Sequence, residues 1–210
     1  MYMVLLLLMF ILNYSTLVDP LLSDIRKFTL NFAGMNAGDK VLDVCCGTGE
    51  QVLEYGMHGI IATGIDIDPN MLNIALKNRM KRHLENVSFQ LADATDLPFP
   101  DGHFDYASIS FGLHDKKKNV RDRVISEIKR VVKHGGTFIF LDFQVPLPNN
   151  VWACIARLIE FLVGGEHYLG FKDYLRSGGL ATILKNHHLL EIHRTQLKGG
   201  LIVAIEATNA

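Results

Sequence analysis

The chain has 210 residues, of which 49% are hydrophobic and 20% are charged. These values are typical of a folded globular protein, and the length suits one α/β domain rather than two ordinary ones. Lys and Arg total 21 against 22 for Asp and Glu, so a formal net charge of −1 gives no electrostatic support for a nucleic-acid partner. We expect a small-molecule ligand and no nucleic acid.

The first predicted element is the apolar segment Met1–Leu12. It lacks the basic start and small-residue cleavage site of a signal peptide, and Asn13 ends it well short of the ~20 apolar residues that span a membrane. We expect a helix buried in the core or at an interface. A peripheral membrane contact and a homodimer through this helix both remain open, and the predicted location is cytoplasmic with or without membrane association.

From Asp39 onward, strand and helix patterns alternate, which predicts a parallel sheet with helices on both faces. The predicted strands are 40–45, 60–67, 87–91, 106–110, 137–143, 188–195 and 201–207. The predicted helices lie at about 50–55, after the capping pair Asp68-Pro69, from about 119, at 151–163 and at 172–184. Lys198–Gly200 predicts a hairpin turn. The fold class is therefore α/β: a doubly wound, mostly parallel seven-stranded sheet of Rossmann-like type with its last strand antiparallel.

The helix predicted at 151–163 is apolar on nearly every side apart from Arg157 and Glu160. We expect such a helix to be buried in this chain or in a partner. The chain shows no internal repeat and no low-complexity linker, so the whole of 1–210 is expected to be one domain.

The cysteines and histidines do not predict a metal site. Of the three cysteines, Cys45 and Cys46 are adjacent, a spacing that rarely forms a disulfide. No Cys/His spacing is that of a zinc site, and none of the nine histidines pairs with a nearby carboxylate as metal ligands do. We expect reduced cysteines and no metal.

Three consecutive predicted strands end in acids, at Asp43, Asp66 and Asp93. Ligands of such sheets bind outside the carboxyl ends of the strands, so these acids are expected to meet in one crevice. The alternative for each acid is a cap on a helix or turn. Gly47 and Gly49 are not followed by the third glycine of a dinucleotide-binding turn, and an acidic turn favours a ligand with a cationic end over a phosphate.

Three segments then resemble successive motifs of class I S-adenosylmethionine-dependent methyltransferases: VLDVCCGTG at 41–49, TGIDIDPNM at 63–71 and LADATDLPF at 91–99. FDYAS at 104–108 and KHGGT at 133–137 resemble the next two motifs. The most similar groups are the ubiquinone/menaquinone-biosynthesis C-methyltransferases, of the methyltransferase type 11 domain, and the bacterial phospholipid N-methyltransferases. The resemblance is strong over 39–142. One departure is Cys45, where the family usually has glycine.

The resemblance implies S-adenosylmethionine as cofactor, no metal, and in-line transfer of its methyl group to a small acceptor. It implies nine cofactor-binding residues: Asp43, Cys45, Gly47, Gly49, Asp66, Ile67, Asp93, Ala94 and Ser110. It also implies four parts of the domain: a helical lid at 1–36, a cofactor-binding core at 37–143, a helical excursion over the substrate site at 144–171, and a C-terminal helix and hairpin at 172–210.

The acceptor side is less defined by sequence. His114 follows the fourth strand, where a base could face the substrate, and a histidine bonded within its own loop is the alternative. Glu166, His167 and Tyr168 lie in the excursion and are further candidates for substrate binding. The apolar segments suit a lipophilic acceptor, quinone-like or phospholipid-like, although packing in the core or at a dimer interface is the simpler explanation.

Two other functions compete with methyl transfer. A catalytically silent S-adenosylmethionine-binding subunit would use the apolar first helix as a partner surface. An NAD-dependent oxidoreductase shares the fold and the ribose-binding acid Asp66, but it needs a third glycine at the turn and a catalytic pair that the sequence does not show. Binding of the two cofactors would distinguish it.

Overall fold

The computed structural model describes residues 23–209, so the predicted helix Met1–Leu12 lies outside the described residues. The helices are α1 Ser23–Phe32, α2 Glu50–Met57, α3 Pro69–Arg82, α4 Lys118–Val131, α5 Val151–Val163, α6 Gly165–Ser177 and α7 Gly179–Asn186. The strands are β1 Lys40–Val44, β2 Ile61–Asp66, β3 Val87–Leu91, β4 Phe104–Ser110, β5 Val132–Phe143, β6 Leu189–Leu197 and β7 Ile202–Asn209.

The seven strands form one sheet in the order β3-β2-β1-β4-β5-β7-β6. Strands β1 to β5 pair in parallel, whereas β7 is antiparallel to both of its neighbours, β5 and β6. The predicted fold class is confirmed, including the antiparallel last strand. The chain runs outward from β1 to β3 and returns to β4 on the other side of β1. This reversal of strand order opens a crevice beside the carboxyl ends of β1 and β4.

Helices cover both faces of the sheet with separate hydrophobic clusters. One cluster contains Ile25 of α1 and Leu53 of α2, and the other contains Ile125 of α4, Phe171 of α6 and Leu180 of α7. Strands β1 and β4 are buried by helices on both faces. The loops that follow these two strands are therefore held on a rigid base.

The turn between β2 and α3 follows its predicted capping chemistry. The Asp68 carboxylate accepts the backbone N–H of Asn70 at 2.8 Å, and Pro69 occupies the first position of α3. Asp68 supplies an acceptor for an N–H that the helix leaves unpaired, and proline has no N–H to leave unpaired.

The predicted helix 172–184 is wrong, because two helices occupy this region. Gly178 and Gly179 have left-handed φ angles of 93° and 62°, which end α6 and begin α7. The predicted boundary at residues 171 and 172 falls inside α6. The predicted start of the fifth strand is also wrong, because α4 ends at Val131 and β5 begins directly at Val132.

Helix α5 differs from its prediction most clearly. Its inward face carries Ala153, Ala156 and Glu160, whereas its large apolar side chains point outward. The described residues 23–209 do not bury this helix, since Trp152 and Leu162 are more than half exposed, and its burial in a partner stays a prediction. None of the described helices combines the length and the apolar character needed to cross a membrane.

Candidate functional site

A cleft opens at the carboxyl ends of β1 and β4, where the strand order reverses. Four of the predicted cofactor residues line it: Asp43, Cys45, Gly47 and Ser110. Sequence reasoning missed the other lining residues, which include Ile25, Arg26, Thr48, Gln51 and Phe111. Helix α1 contributes Ile25 and Arg26 to one side of the cleft, and the lid predicted for 1–36 stays a prediction.

Asp43 is a buried acid at the base of the cleft. Its side chain is 3% exposed, and its Oδ1 accepts the Ser108 hydroxyl at 2.5 Å. Burial raises the pKa of Asp43 to about 7, and the Ser108 hydrogen bond, which lowers it, only partly offsets this. The carboxylate of Asp66 raises the pKa further and Arg26 lowers it. A buried acid whose pKa is raised in this way is suited to a cationic ligand. The positive charge of the ligand would lower the pKa again and favour the ionised carboxylate.

Asp66, the last residue of β2, links the loop after β1 to the loop after β2. Its Oδ2 accepts the backbone N–H of Gly47 at 2.8 Å, and its Oδ1 accepts that of Asp68 at 2.9 Å. Each carboxylate oxygen keeps a further lone pair, which is enough for the two hydroxyls of a ribose. The next side chain, Ile67, is 70% exposed, as a platform for a planar base would be before its ligand binds.

The remaining predicted cofactor residues lie near the cleft but are not among the residues that line it. Asp93 accepts the backbone N–H and the hydroxyl of Thr95, both at 2.8 Å, and these bonds lower the pKa of Asp93. This is the turn-capping alternative, and it leaves the predicted adenine contact of Asp93 and Ala94 a prediction. Gly49 precedes α2, and its Cα lies against Phe89.

The wall of the cleft contains an unpartnered polar atom. The hydroxyl oxygen of Ser110 is buried and has no hydrogen-bond partner. Beside it, Phe111 and Cys45 have left-handed φ angles of 55° and 60°, which non-glycine residues rarely adopt. Such strain often accompanies a ligand-binding role. The free hydroxyl, the raised pKa of Asp43 and the exposed Ile67 together match S-adenosylmethionine, which offers a sulfonium, an amino group, a ribose and an adenine.

His114 lies beside this cleft rather than in its lining. It is buried, and its Nδ1 lies 2.8 Å from Oδ1 of Asp142. Burial alone would lower the pKa of His114, but the Asp142 carboxylate and Glu160 raise it above its usual value. The rings of Phe111 and His114 are 6.4 Å apart. His114 thus meets the cleft through Phe111, and its role as a base stays a prediction.

Of the three residues predicted in the excursion, only His167 joins His114. Its Nε2 lies 2.7 Å from Glu160 Oε2, and its ring is 5.6 Å from that of His114. Glu166 is exposed and pairs with Lys117 at 2.5 Å. Tyr168 packs against Phe161 and lies under the Lys172 ammonium group. Sequence reasoning missed Glu160 and Asp142, which complete the cluster.

The sequence profile of the ubiE/COQ5 methyltransferase family matches residues 22–154, which contain β1 to β5 and the whole cleft. The chain belongs to this family. Two bacterial relatives are similar to it. The ubiquinone/menaquinone biosynthesis C-methyltransferase UbiE of Citrifermentans bemidjiense is 36% identical over 127 residues, which are 58% of this chain and 52% of that protein. The demethylmenaquinone methyltransferase of Listeria welshimeri is 39% identical over 158 residues, which are 71% of this chain and 65% of that protein.

The chain thus spans between half and two thirds of the length of these ubiE/COQ5-type relatives. Solved structures give the same fold. The S-adenosylmethionine-dependent methyltransferase of Aquifex aeolicus superposes with a TM-score of 0.64 at 20% identity, covering 87% of this chain and 88% of that one. The cofactor of the ubiE/COQ5 methyltransferase family is S-adenosylmethionine, so the predicted family and cofactor class are confirmed.

Cys45 is the departure from the family pattern, and we expect its thiol to be unreactive. Burial raises the pKa of Cys45 to about 11 and that of Cys46 still higher, whereas Cys154 is exposed. Because the thiolate is the reactive form, iodoacetamide should alkylate Cys154 at least about a hundredfold faster than Cys45 in the folded chain. Peptide mass spectrometry over time would measure this. Equal rates in the folded chain would show that Cys45 is open and activated.

Proposed function

We propose that this chain transfers the methyl group of S-adenosylmethionine to a carbon atom of a lipophilic, hydroxylated aromatic acceptor of the quinone-precursor kind. The observation that carries the proposal is the cleft lined by Asp43 and Gly47, with Asp66 bonded to the backbone of Gly47, within the segment that matches the ubiE/COQ5 family. The relatives named for menaquinone and ubiquinone biosynthesis support the acceptor class.

In this proposal three residues at the cleft bind different parts of the cofactor. Asp43 holds the positive amino end of the cofactor, Asp66 holds the ribose, and Ser110 faces the methyl group. Because a sulfonium is already a strong electrophile, the protein mainly has to place the acceptor carbon in line with it, and such positioning can supply about 7–11 kcal/mol. His114, held by Asp142, lies where it can act on the acceptor's hydroxyl group.

The character of the acceptor is supported by the wall beyond the methyl position. Phe111 lines the cleft, and the ring of Phe143 lies 5.9 Å from it, with Phe171 behind. His114 is the polar group set among these rings. A planar apolar acceptor with a hydroxyl group would match this mixture better than a charged headgroup would.

Calorimetric titration with S-adenosylmethionine is the decisive test of the proposed cofactor site. We expect a dissociation constant in the micromolar range, about −8 kcal/mol, and no binding of NAD. Asp66→Ala should weaken S-adenosylmethionine binding by at least about 100-fold, because it removes both ribose acceptors and frees the Gly47 loop. Asp101→Ala, at an exposed acid that pairs with Arg130, is the matched control and should bind as the unchanged chain does.

Methyl transfer to reduced, undermethylated quinones, followed by mass spectrometry of the product, then tests the acceptor. Product methylated on carbon is expected from the isolated chain. If S-adenosylmethionine binds but no aromatic acceptor is methylated, the chain is a cofactor-binding subunit that supports a partner. If NAD binds in place of S-adenosylmethionine, the assignment of the cleft fails.

A further inference from the structure

Beside the cofactor cleft, three elements bring two histidines and a glutamate together. His114 comes from the loop after β4, Glu160 from α5 and His167 from α6. One ligand-type atom of each residue lies within 4.8 Å of the corresponding atoms of the other two. Glu160 and His167 are seven residues apart and His114 lies far from both in sequence, so their spacing resembles no metal-binding motif.

Glu160 is an unusual residue for its helix. The outward face of α5 is apolar, yet its one acid points inward and is 6% exposed. A buried carboxylate is costly unless charged or hydrogen-bonding partners compensate it. Its Oε2 is 2.7 Å from Nε2 of His167, but its Oε1 faces Nε2 of His114 at 3.7 Å, which is too long for a hydrogen bond.

The orientation of the His114 ring determines which of its nitrogens faces Glu160. Asp142 accepts the backbone N–H groups of Leu113, His114 and Phe143 and lies 2.8 Å from Nδ1 of His114. These bonds hold the ring so that its other nitrogen, Nε2, faces the carboxylate of Glu160. The gap of 3.7 Å between Nε2 and Oε1 is left without a hydrogen bond, although both groups are buried.

We propose that His114, Glu160 and His167 bind a divalent transition-metal ion, for which Zn²⁺ is the best match. Two imidazoles and one carboxylate with an open fourth position are the ligand set of many catalytic zinc sites. Metal–ligand bonds of about 2.0–2.2 Å separate neighbouring ligand atoms by roughly 3.3–3.5 Å. The distances of 3.7 Å and 2.7 Å lie on either side of that separation, so small side-chain shifts complete the site.

The surroundings of the three ligands also suit a metal ion. Asp142 holds His114 through Nδ1, as carboxylates do for zinc-binding histidines, and so fixes which nitrogen faces the metal. Asp115 lies 3.6 Å from Nδ1 of His167, which is close enough for attraction between charges but too long for a hydrogen bond. The rings of Phe143, Phe171 and Tyr174 pack around His114, whereas His167 keeps contact with solvent.

The role of this ion rests on the proposed function. Its open position would take the hydroxyl oxygen of the aromatic acceptor and release the hydroxyl proton to solvent, because a bound metal lowers the pKa of such a group. The activated ring carbon then forms its bond to the methyl group, the carbon–sulfur bond breaks, and its electron pair stays on the sulfur of S-adenosylhomocysteine. The methylated carbon next loses its C–H proton to solvent, the electron pair of that bond restores the aromatic ring, and the acceptor oxygen takes back a proton from solvent when the product leaves. In this arrangement His114 is a ligand of the ion rather than the base.

The test is Zn²⁺ titration of the metal-stripped full chain by calorimetry, repeated with Co²⁺, whose visible absorption reports nitrogen and oxygen ligands. We expect one ion per chain. His167→Gln and Glu160→Gln should weaken Zn²⁺ binding by at least about tenfold, and Asp142→Asn by about 10–100-fold. His193→Gln removes an exposed His–Glu pair at 2.7 Å and should change nothing, which controls for surface chelation.

S-adenosylmethionine binding by each variant shows that it is folded, because no ligand of the ion lines the cofactor cleft. The site is refuted if the unchanged chain binds no Zn²⁺ or if His167→Gln binds it equally well. In either case S-adenosylmethionine binding and methyl transfer would still stand. Loss of S-adenosylmethionine binding with intact Zn²⁺ binding would instead remove the proposed function and leave the metal site.

Discussion

Replacing Asp43 by asparagine should stabilise the unliganded protein at alkaline pH and at the same time remove most of its affinity for S-adenosylmethionine. The pKa of Asp43 is about 7 in the folded chain, against 3.8 as its ordinary value. The folded state therefore binds this proton more tightly than the unfolded state, and the free energy of unfolding falls as pH rises from about 4 to 7. The difference corresponds to roughly 4 kcal/mol.

Urea unfolding at about pH 8 and pH 4 measures this effect. The Asp43→Asn chain should be more stable than the unchanged chain at about pH 8, and the difference should vanish at about pH 4, where Asp43 is protonated in the folded chain and half protonated in the unfolded one. Ser108→Ala is a useful second variant, because loss of the 2.5 Å hydrogen bond should raise the pKa of Asp43 further.

The affinity for S-adenosylmethionine should follow the same titration in the opposite direction. Because the cationic ligand needs the ionised carboxylate, binding to the unchanged chain should strengthen about tenfold per pH unit up to about pH 7 and then level off. Asp43→Asn should bind at least about 100-fold more weakly and without this slope. A flat affinity profile in the unchanged chain, or a less stable Asp43→Asn chain at about pH 8, would show that Asp43 is not the cationic-ligand acid.

The second large effect is expected from alanine at Gly49, with Gly47 as its matched control. Both glycines have left-handed φ angles, of 78° and 52°. A Cβ atom at Gly49 would lie 2.5 Å from the Phe89 ring and 2.8 Å from Cβ of Ala75, whereas one at Gly47 would meet nothing within 4 Å. Backbone strain costs about 1–2 kcal/mol at either site, and overpacking at Gly49 adds about 1–3 kcal/mol.

Thermal unfolding and S-adenosylmethionine titration should therefore separate the two variants. Gly49→Ala should lose about 3 kcal/mol of stability, because its methyl group enters the packing between α2, α3 and β3. Gly47→Ala should lose less stability but more affinity, because Gly47 lines the cleft and its added methyl group takes ligand space. If the two variants lose stability equally, the close approach of Gly49 to Phe89 is not what requires glycine there.

The sequence predicted the parallel sheet and the family well, because both depend on local chemistry. Acids at strand ends, glycines at a turn and the Asp68-Pro69 cap are each set by their near neighbours in the chain. The break between α6 and α7 was missed because the apolar pattern continues across Gly178. The exposed face of α5 was not predicted, because an apolar pattern does not show which side chains the rest of the chain covers.

The acceptor half depends on contacts between residues distant in sequence, which no local pattern records. Asp142 lies one residue before the end of β5, as Asp43 does in β1, but in the sequence it appeared to be part of an apolar run. Glu160 interrupts an otherwise apolar helix, and that interruption was the one available signal of the cluster. Only the fold shows that both residues meet His114.

The central position of β1 and β4 has a consequence for the motions of the site. Each of these strands pairs with a neighbour on both sides, so their amides are released only when the whole sheet opens. Within residues 23–209, helix α5 has an exposed apolar face and no pairing with neighbouring strands to hold its amides. Hydrogen exchange in this protein should thus be slowest beneath the cofactor and fastest in the roof of the acceptor space. In the proposed function, the methyl donor lies over strands that are paired on both sides, and the acceptor enters beside a helix that has fewer constraints.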